Sequence, residues 1–330
     1  MATSAWFYIG FTAFVLAMLA IDLGIFHRIV HVVRPKEAGA WVAVWMTLAL
    51  AFAATLLFWK GAESALLFVT GYLIEQSLSI DNIFVIVIIF STFHIPDQYQ
   101  HRVLFWGIIG ALLMRGLFIG MGTLLIEHFG WIMYVFGGLL IVTGVKMALR
   151  RDERFDAEQN PVMRIARRFL RVADKYHGEQ FFVVREGRTL ATPLFLVLLL
   201  IEFTDLVFAL DSIPAVFAVT TDPFLVYTSN VFAILGLRSM YFLLARLVHR
   251  FAYLKYGLAL ILTFVGCKMV IVDFFRFPIL ASLGVIVVTL SGSIVASLLC
   301  PPKRRYIIEE NRSNTGSIFG PGEPGDRFRE

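Results

Sequence analysis

Charge is what this sequence lacks. Asp, Glu, Lys and Arg make up 16% of its 330 residues, against about 25% in soluble domains. Hydrophobic residues reach 58%, and the mean hydropathy is +0.78. A soluble globular domain is excluded, and the class is a polytopic membrane protein embedded in a lipid bilayer. Cysteine is nearly missing too. Cys267 and Cys300 make no disulfide framework and no CxxC pair, and each reads as a small buried hydrophobe in or at the end of an apolar run. A charged start is missing from the N-terminus, whose apolar run is long enough to span, so no cleavable signal peptide is expected. The net charge of +5 is no nucleic-acid footprint, because the basic residues sit between apolar stretches, where an orientation signal belongs.

A membrane crossing needs about 20 mostly apolar residues. Counting so predicts an all-α fold of nine transmembrane helices, near 5–27, 40–60, 66–93, 102–127, 130–149, 191–220, 224–248, 254–274 and 278–299. The third is long enough to run tilted or broken. The chain divides into two N-terminal helices (1–62), a three-helix unit (63–149), a polar connector (150–190), a second three-helix unit (191–276), a last helix (277–300) and a tail (301–330). Lys and Arg gather in alternate loops: Arg28, Arg34 and Lys36; Arg102; ten between Arg150 and Arg188; Arg246, Arg250 and Lys255; then Lys303, Arg304 and Arg305. The opposite loops hold little more than Lys60 and Arg276. This bias predicts the N-terminus outside and the C-terminus in the cytoplasm. Within the connector, MRIARRFLRVADKYHG reads as an amphipathic surface helix and FFVVREGRTLATP as a short hairpin. The tail after Ile307 reads as disordered.

What is present is acid inside the apolar spans. IEFTDLVFALDSIPAVFAVTT carries Glu202, Asp205 and Asp211, and YLIEQSLSIDNIFVIVIIF carries Glu75 and Asp81. Each costs roughly 2.5–3.5 kcal/mol at bilayer depth on insertion scales. The two stretches align, Glu75 on Asp205 and Asp81 on Asp211, with Glu202 facing Tyr72. Further matches pair Arg115 with Arg238 and Lys146 with Lys268. Spans 3–5 and 6–8 therefore read as a duplicated unit of opposite topology, an arrangement met in transporters.

Helix geometry limits what the acids can do. Glu202 and Asp205, three apart, share a face. Asp205 and Asp211, six apart, point about 120° away from each other, as do Glu75 and Asp81. Two straight helices cannot aim all five carboxylates at one point, so there are two sites or the helices unwind locally. Pro214 favours unwinding, since it removes an N–H and frees the carbonyl of Leu210. Ser77, Ser79 and Asn82 add neutral oxygens. Carboxylate, amide, hydroxyl and carbonyl oxygens suit Mn²⁺, Ca²⁺ or Mg²⁺. No His or Cys lies near these motifs in sequence, which argues against Zn²⁺, Cu⁺ or haem, and no cofactor motif is visible. Arg115 and Arg238, mid-span, are the charge partners expected for two of the acids. Asp22, near a span end, reads as a local interfacial partner.

These residues resemble a known family. EQSLSIDNIFV and EFTDLVFALDSIPAVFAVTTDPFLVYTSNVFAILGLRSMYFLL are similar to the TerC family of integral membrane proteins, as are LAIDLGIFHR and EAGAWVAVW near the start. The likeness runs from Ala5 to about Pro302 and is nearest to Alx-type bacterial members. It implies a cation-exporter superfamily linked by name to tellurium resistance, with roles in manganese efflux and in metal supply to exported proteins, and a description as membrane redox modulators. By that resemblance the motif residues are Glu75, Asp81 and Asn82, then Glu202, Asp205, Asp211 and Ser212. The resulting expectation is an inner-membrane exporter of a divalent cation, Mn²⁺ foremost, without enzymatic activity. Its acids would form a midplane site, with proton antiport as the coupling. A membrane assembly or metal-supply factor and a redox modulator stand as alternatives, and assembly into a homo-oligomer stays open.

Overall fold

The computed structural model describes residues 5–26, 35–149, 161–173, 178–185, 188–245, 253–275 and 277–299. Ten helices run in order through these residues: α1 (Ala5–Phe26), α2 (Pro35–Lys60), α3 (Ala62–Thr92), α4 (Asp97–His128), α5 (Ile132–Leu149), α6 (Pro161–Phe169), α7 (Pro193–Phe217), α8 (Pro223–Leu244), α9 (Leu254–Val270) and α10 (Ile279–Leu299). A hairpin of β1 (Phe182–Arg185) and β2 (Arg188–Ala191) precedes α7. The 301–330 tail, Cys300 and the side chain of Asp22 lie outside what is described.

A helix stands on each of the nine apolar stretches. Among the described residues, six are long and apolar enough to cross a membrane, α2, α3, α4, α5, α7 and α10, and α1 contributes the shorter apolar stretch Phe7–Met18. Polar residues inside α8 and the 17 residues of α9 set those two apart. α8 is buried along almost its whole length, at the centre of the bundle. Large apolar side chains such as Phe58, Val142 and Val288 face outward, as helices solvated by lipid tails require.

Both acid-bearing helices are unbroken. α3 runs 31 residues, more than a perpendicular crossing needs. α7 passes through Pro214 to Phe217, so the local unwinding expected at Pro214 does not occur. Ser212 to Phe217 are all buried, and packing on every side holds the helix despite the lost N–H. With straight helices, the six-residue spacing keeps Asp81 and Asp211 off the faces that carry Glu75 and Asp205.

Contacts give the helix directions. Gly71 lies against Val216 and Asn82 meets Asp205, so α3 and α7 run antiparallel. Gly107, Gly110 and Gly122 lie against Ile201, Glu202 and Phe217, so α4 and α7 run parallel. Gly71 against Ser229 and Gln76 against Gly236 make α3 and α8 parallel in the same way. α5 and α9 are antiparallel and very close: a Cβ on Gly266 would come within 2.7 Å of Gly137 O, and one on Gly144 within 2.7 Å of Ala259 O.

Within the connector, α6 touches the bundle. α6 stops at Phe169, and its buried Met163 and Ala166 pack on Leu196 of α7. Ile165 of the same helix stays exposed. The hairpin forms where expected, with Phe182 opposite Ala191 and Arg185 opposite Arg188.

Candidate functional site

The centre of the bundle is built on Arg115 of α4. The sequence puts this cation in mid-helix, where an unpaired charge is costly, and three other helices answer it. Arg115 is 2% exposed and Glu75 of α3 is fully buried; the guanidinium Nη1 donates to Glu75 Oε1. Asp205 of α7 accepts from Nη2 at 2.9 Å and from Nε at 3.3 Å. This fork is the two-point geometry that a guanidinium offers a carboxylate. Asn230 of α8, fully buried, accepts from Nη1 at 3.1 Å and donates from Nδ2 to Glu75 Oε2 at 3.0 Å. Ser212 Oγ lies 3.5 Å from Nη1.

Charge does not close in this cluster. One guanidinium faces two carboxylates, Glu75 and Asp205. Asn82 approaches Asp205 through Nδ2 at 3.5 Å, while its amide oxygen is buried without a hydrogen-bond partner among the described residues. One turn before Asp205, the Glu202 carboxylate packs on Gly110 of α4, where a Cβ would overlap it. Its Oε2 is likewise buried and unpartnered. A cavity of about 20 Å³ lies between α3, α4, α7 and α8, lined by Asn82, Gly107, Thr204 and Asp205 among others. That volume admits about one water or one bare ion.

The other two acids stand apart from this centre. Asp211 accepts a hydrogen bond from Thr143 of α5 at 3.0 Å. Asp81 is half-buried on α3, under the electrostatic influence of Lys255 on α9. Six residues of straight helix turn them away from Glu75 and Asp205. Among the described residues, no three His, Cys, Asp or Glu side chains are grouped to hold a metal ion. Thus the structure gathers Glu75, Asn82, Asp205 and Ser212 around Arg115, sets Glu202 one turn away, and leaves Asp81 and Asp211 elsewhere.

Arg238, expected beside the acids, is buried with Nη2 3.1 Å from His101 Nδ1 on α4. Lys146 is exposed and Lys268 half-buried. Sequence reasoning passed over Asn230, Thr143, His101 and Gly110. The run Thr228-Ser229-Asn230 inside an apolar span was the available signal for the first. The others become partners only through helix packing.

Comparison with known proteins agrees with the sequence motifs. The description "Integral membrane protein TerC family" matches residues 60–305. A Myxococcus xanthus protein named "Uncharacterized membrane protein STKORF319" is 57% identical over 291 residues, covering 88% of this chain and 91% of its own. Proteins provisionally named membrane-bound redox modulator Alx are 51% identical over 288 residues in Escherichia coli K12 (84% of this chain, 89% of theirs) and 49% over 296 residues in Salmonella typhi (87% and 92%). No solved structure matches the chain. The chain belongs to the TerC family of integral membrane proteins.

Proposed function

We propose that the protein is a transporter rather than an enzyme, exporting a hard divalent cation, Mn²⁺ foremost, across a bacterial inner membrane. The observation that carries this reading is the buried Arg115 guanidinium between Glu75 and Asp205, with a one-ion cavity beside it. In this resting arrangement the arginine is an internal stand-in for the cargo. A divalent ion entering the cavity would draw Asp205 and the free oxygens of Asn82 and Glu202 toward itself. The guanidinium would then be released, and hard oxygen ligands are the donors such an ion prefers.

Nine crossing helices with an inverted repeat complete the proposal. Two features support the repeat. The aligned helices α3 and α7 run antiparallel, and so do α5 and α9. In the alignment that pairs Lys146 with Lys268, Gly144 falls on Gly266 and Gly137 on Ala259. The contacts Gly137–Gly266 and Gly144–Ala259 then exchange with each other, as a two-fold axis lying across the helices demands. Rocking one unit against the other about that axis would open the carboxylate pair to each side in turn. In this reading the N-terminus is outside and the C-terminus cytoplasmic, and the carboxylates exchange protons for metal.

Calorimetric titration of the purified protein with Mn²⁺ tests the binding step. The expected result is saturable binding lost in Glu75→Gln and Asp205→Asn; binding unchanged in both would remove the site. Mn²⁺ flux insensitive to a pH gradient would remove the antiport step. The name of the Alx relatives supports a second reading, a membrane redox component, for which a chromophore in the absorption spectrum of the purified protein is the discriminating sign.

A further inference from the structure

Away from the carboxylate centre, the connector before α7 carries a groove of about 440 Å³, lined by Leu170, Arg171, Phe182, Arg188, Thr189 and Ala191. That volume falls within the range of small-molecule sites. Its frame is fixed by backbone bonds. Ala191 N donates to Arg171 O at 2.9 Å and Ala173 N to Ala191 O at 2.8 Å, laying residues 171–173 beside the hairpin. At the same open end of the hairpin, Thr192 donates through N to Phe181 O at 2.9 Å and through Oγ1 to Gln180 O at 2.7 Å. Phe182 is braced by Phe195 of α7, with ring centroids 4.4 Å apart.

Two cations face this groove, and among the described residues no carboxylate lines it. Among the described residues neither Arg171 nor Arg188 forms an ion pair. The nearby Arg102 contrasts with them, held by Glu179 at 3.5 Å and stacked over Phe181. Two like charges at one concave surface repel, and an anion between them relieves the repulsion. Guanidinium forks match phosphate oxygens in particular. Leu170 and Phe182 supply apolar walls, and the Thr189 hydroxyl a further hydrogen-bonding group. We propose that Arg171 and Arg188 form a binding site for the phosphate group of an anionic ligand, at the entry to α7. An anionic phospholipid headgroup and a soluble organic phosphate share this chemistry.

The full-length protein in detergent separates the two sources. Native mass spectrometry during titration with phosphatidylglycerol, against phosphatidylcholine as the zwitterionic control, reads the lipid. Calorimetry with adenosine monophosphate and inorganic phosphate reads the soluble ligand. The test variants are Arg171→Gln with Arg188→Gln, each also made singly; the control is Arg164→Gln with Arg168→Gln, exposed on α6 and outside the groove. We expect saturable one-to-one binding in at least one arm, weakened about tenfold or more in the test variants, as loss of a charge-assisted contact gives, and unchanged in the control. Binding in the lipid arm identifies a headgroup, and binding in the soluble arm a free phosphate compound. Absence of saturable binding in both arms, or equal loss in test and control variants, overturns the site.

Discussion

Asp205 holds Arg115 through both carboxylate oxygens, Oδ1 to Nη2 at 2.9 Å and Oδ2 to Nε at 3.3 Å. The same guanidinium reaches Glu75 with its remaining terminal nitrogen. A cation so committed is a lock between α3, α4 and α7, and its removal leaves Glu75 buried with a single donor, Asn230.

Arg115→Ala should therefore destabilise the bundle by about 3–5 kcal/mol, the usual consequence of stripping one partner from a buried pair. Glu75→Gln in the same chain should restore much of the loss, because the amide carries no charge to strand. Thermal unfolding in detergent checks both. Equal unfolding temperatures for wild type and Arg115→Ala would contradict the lock.

Much of this centre was legible before the fold. Apolar run length located the helices, since lipid imposes one length scale on every crossing. The internal alignment paired Glu75 with Asp205, and both meet at Arg115. The 120° arithmetic left separation of Asp81 and Asp211 as one of two alternatives, and the unbroken helices select it. Pro214 misled because a proline's cost is local, while the support that keeps α7 straight comes from neighbouring helices. Arg238 was expected beside acids from its charge, and the His101 contact that it makes depends on how α4 and α8 pack. Asn230 and Thr143 were hidden for the same reason: a polar residue's partner across a bundle is set by helix rotation, which periodicity in wholly apolar segments does not reveal.

Gly110 makes room for Glu202. Gly110→Ala puts a methyl where the carboxylate lies, so its cost should fall when Glu202 is also replaced by Ala. A double-mutant cycle on unfolding free energy should give a coupling of roughly 0.5–3 kcal/mol. Strict additivity would mean that the two do not touch.

The α5–α9 seam rests on glycine. Gly144→Ala and Gly266→Ala each push a methyl into opposing backbone and should cost about 1–3 kcal/mol through overpacking. Gly138→Ala, on the same helix with nothing within 4 Å, should be neutral or mildly stabilising. The contrast is readable as unfolding temperature across the three variants.

Asp222 has two roles that substitution can separate. Its Oδ1 caps α8 by accepting from Phe224 N at 2.9 Å, and its Oδ2 pairs with Lys60 at 2.8 Å. Asp222→Asn keeps a capping side chain and loses the ion pair, whereas Asp222→Ala loses both. The alanine variant should be less stable than the asparagine variant by about 1 kcal/mol, the typical worth of an N-cap. Equal stability of the two would remove the capping role.

Transport itself is the most direct test of the proposed exchange at Arg115. Purified protein in proteoliposomes, with Mn²⁺ movement followed by an internal fluorescent indicator, should show flux in wild type. Asp205→Asn should abolish that flux. Asp81→Asn and Asp211→Asn should reduce it, since these two acids lie on the same helices, α3 and α7, as Glu75 and Asp205. Wild-type flux that persists undiminished in Asp205→Asn would contradict the account.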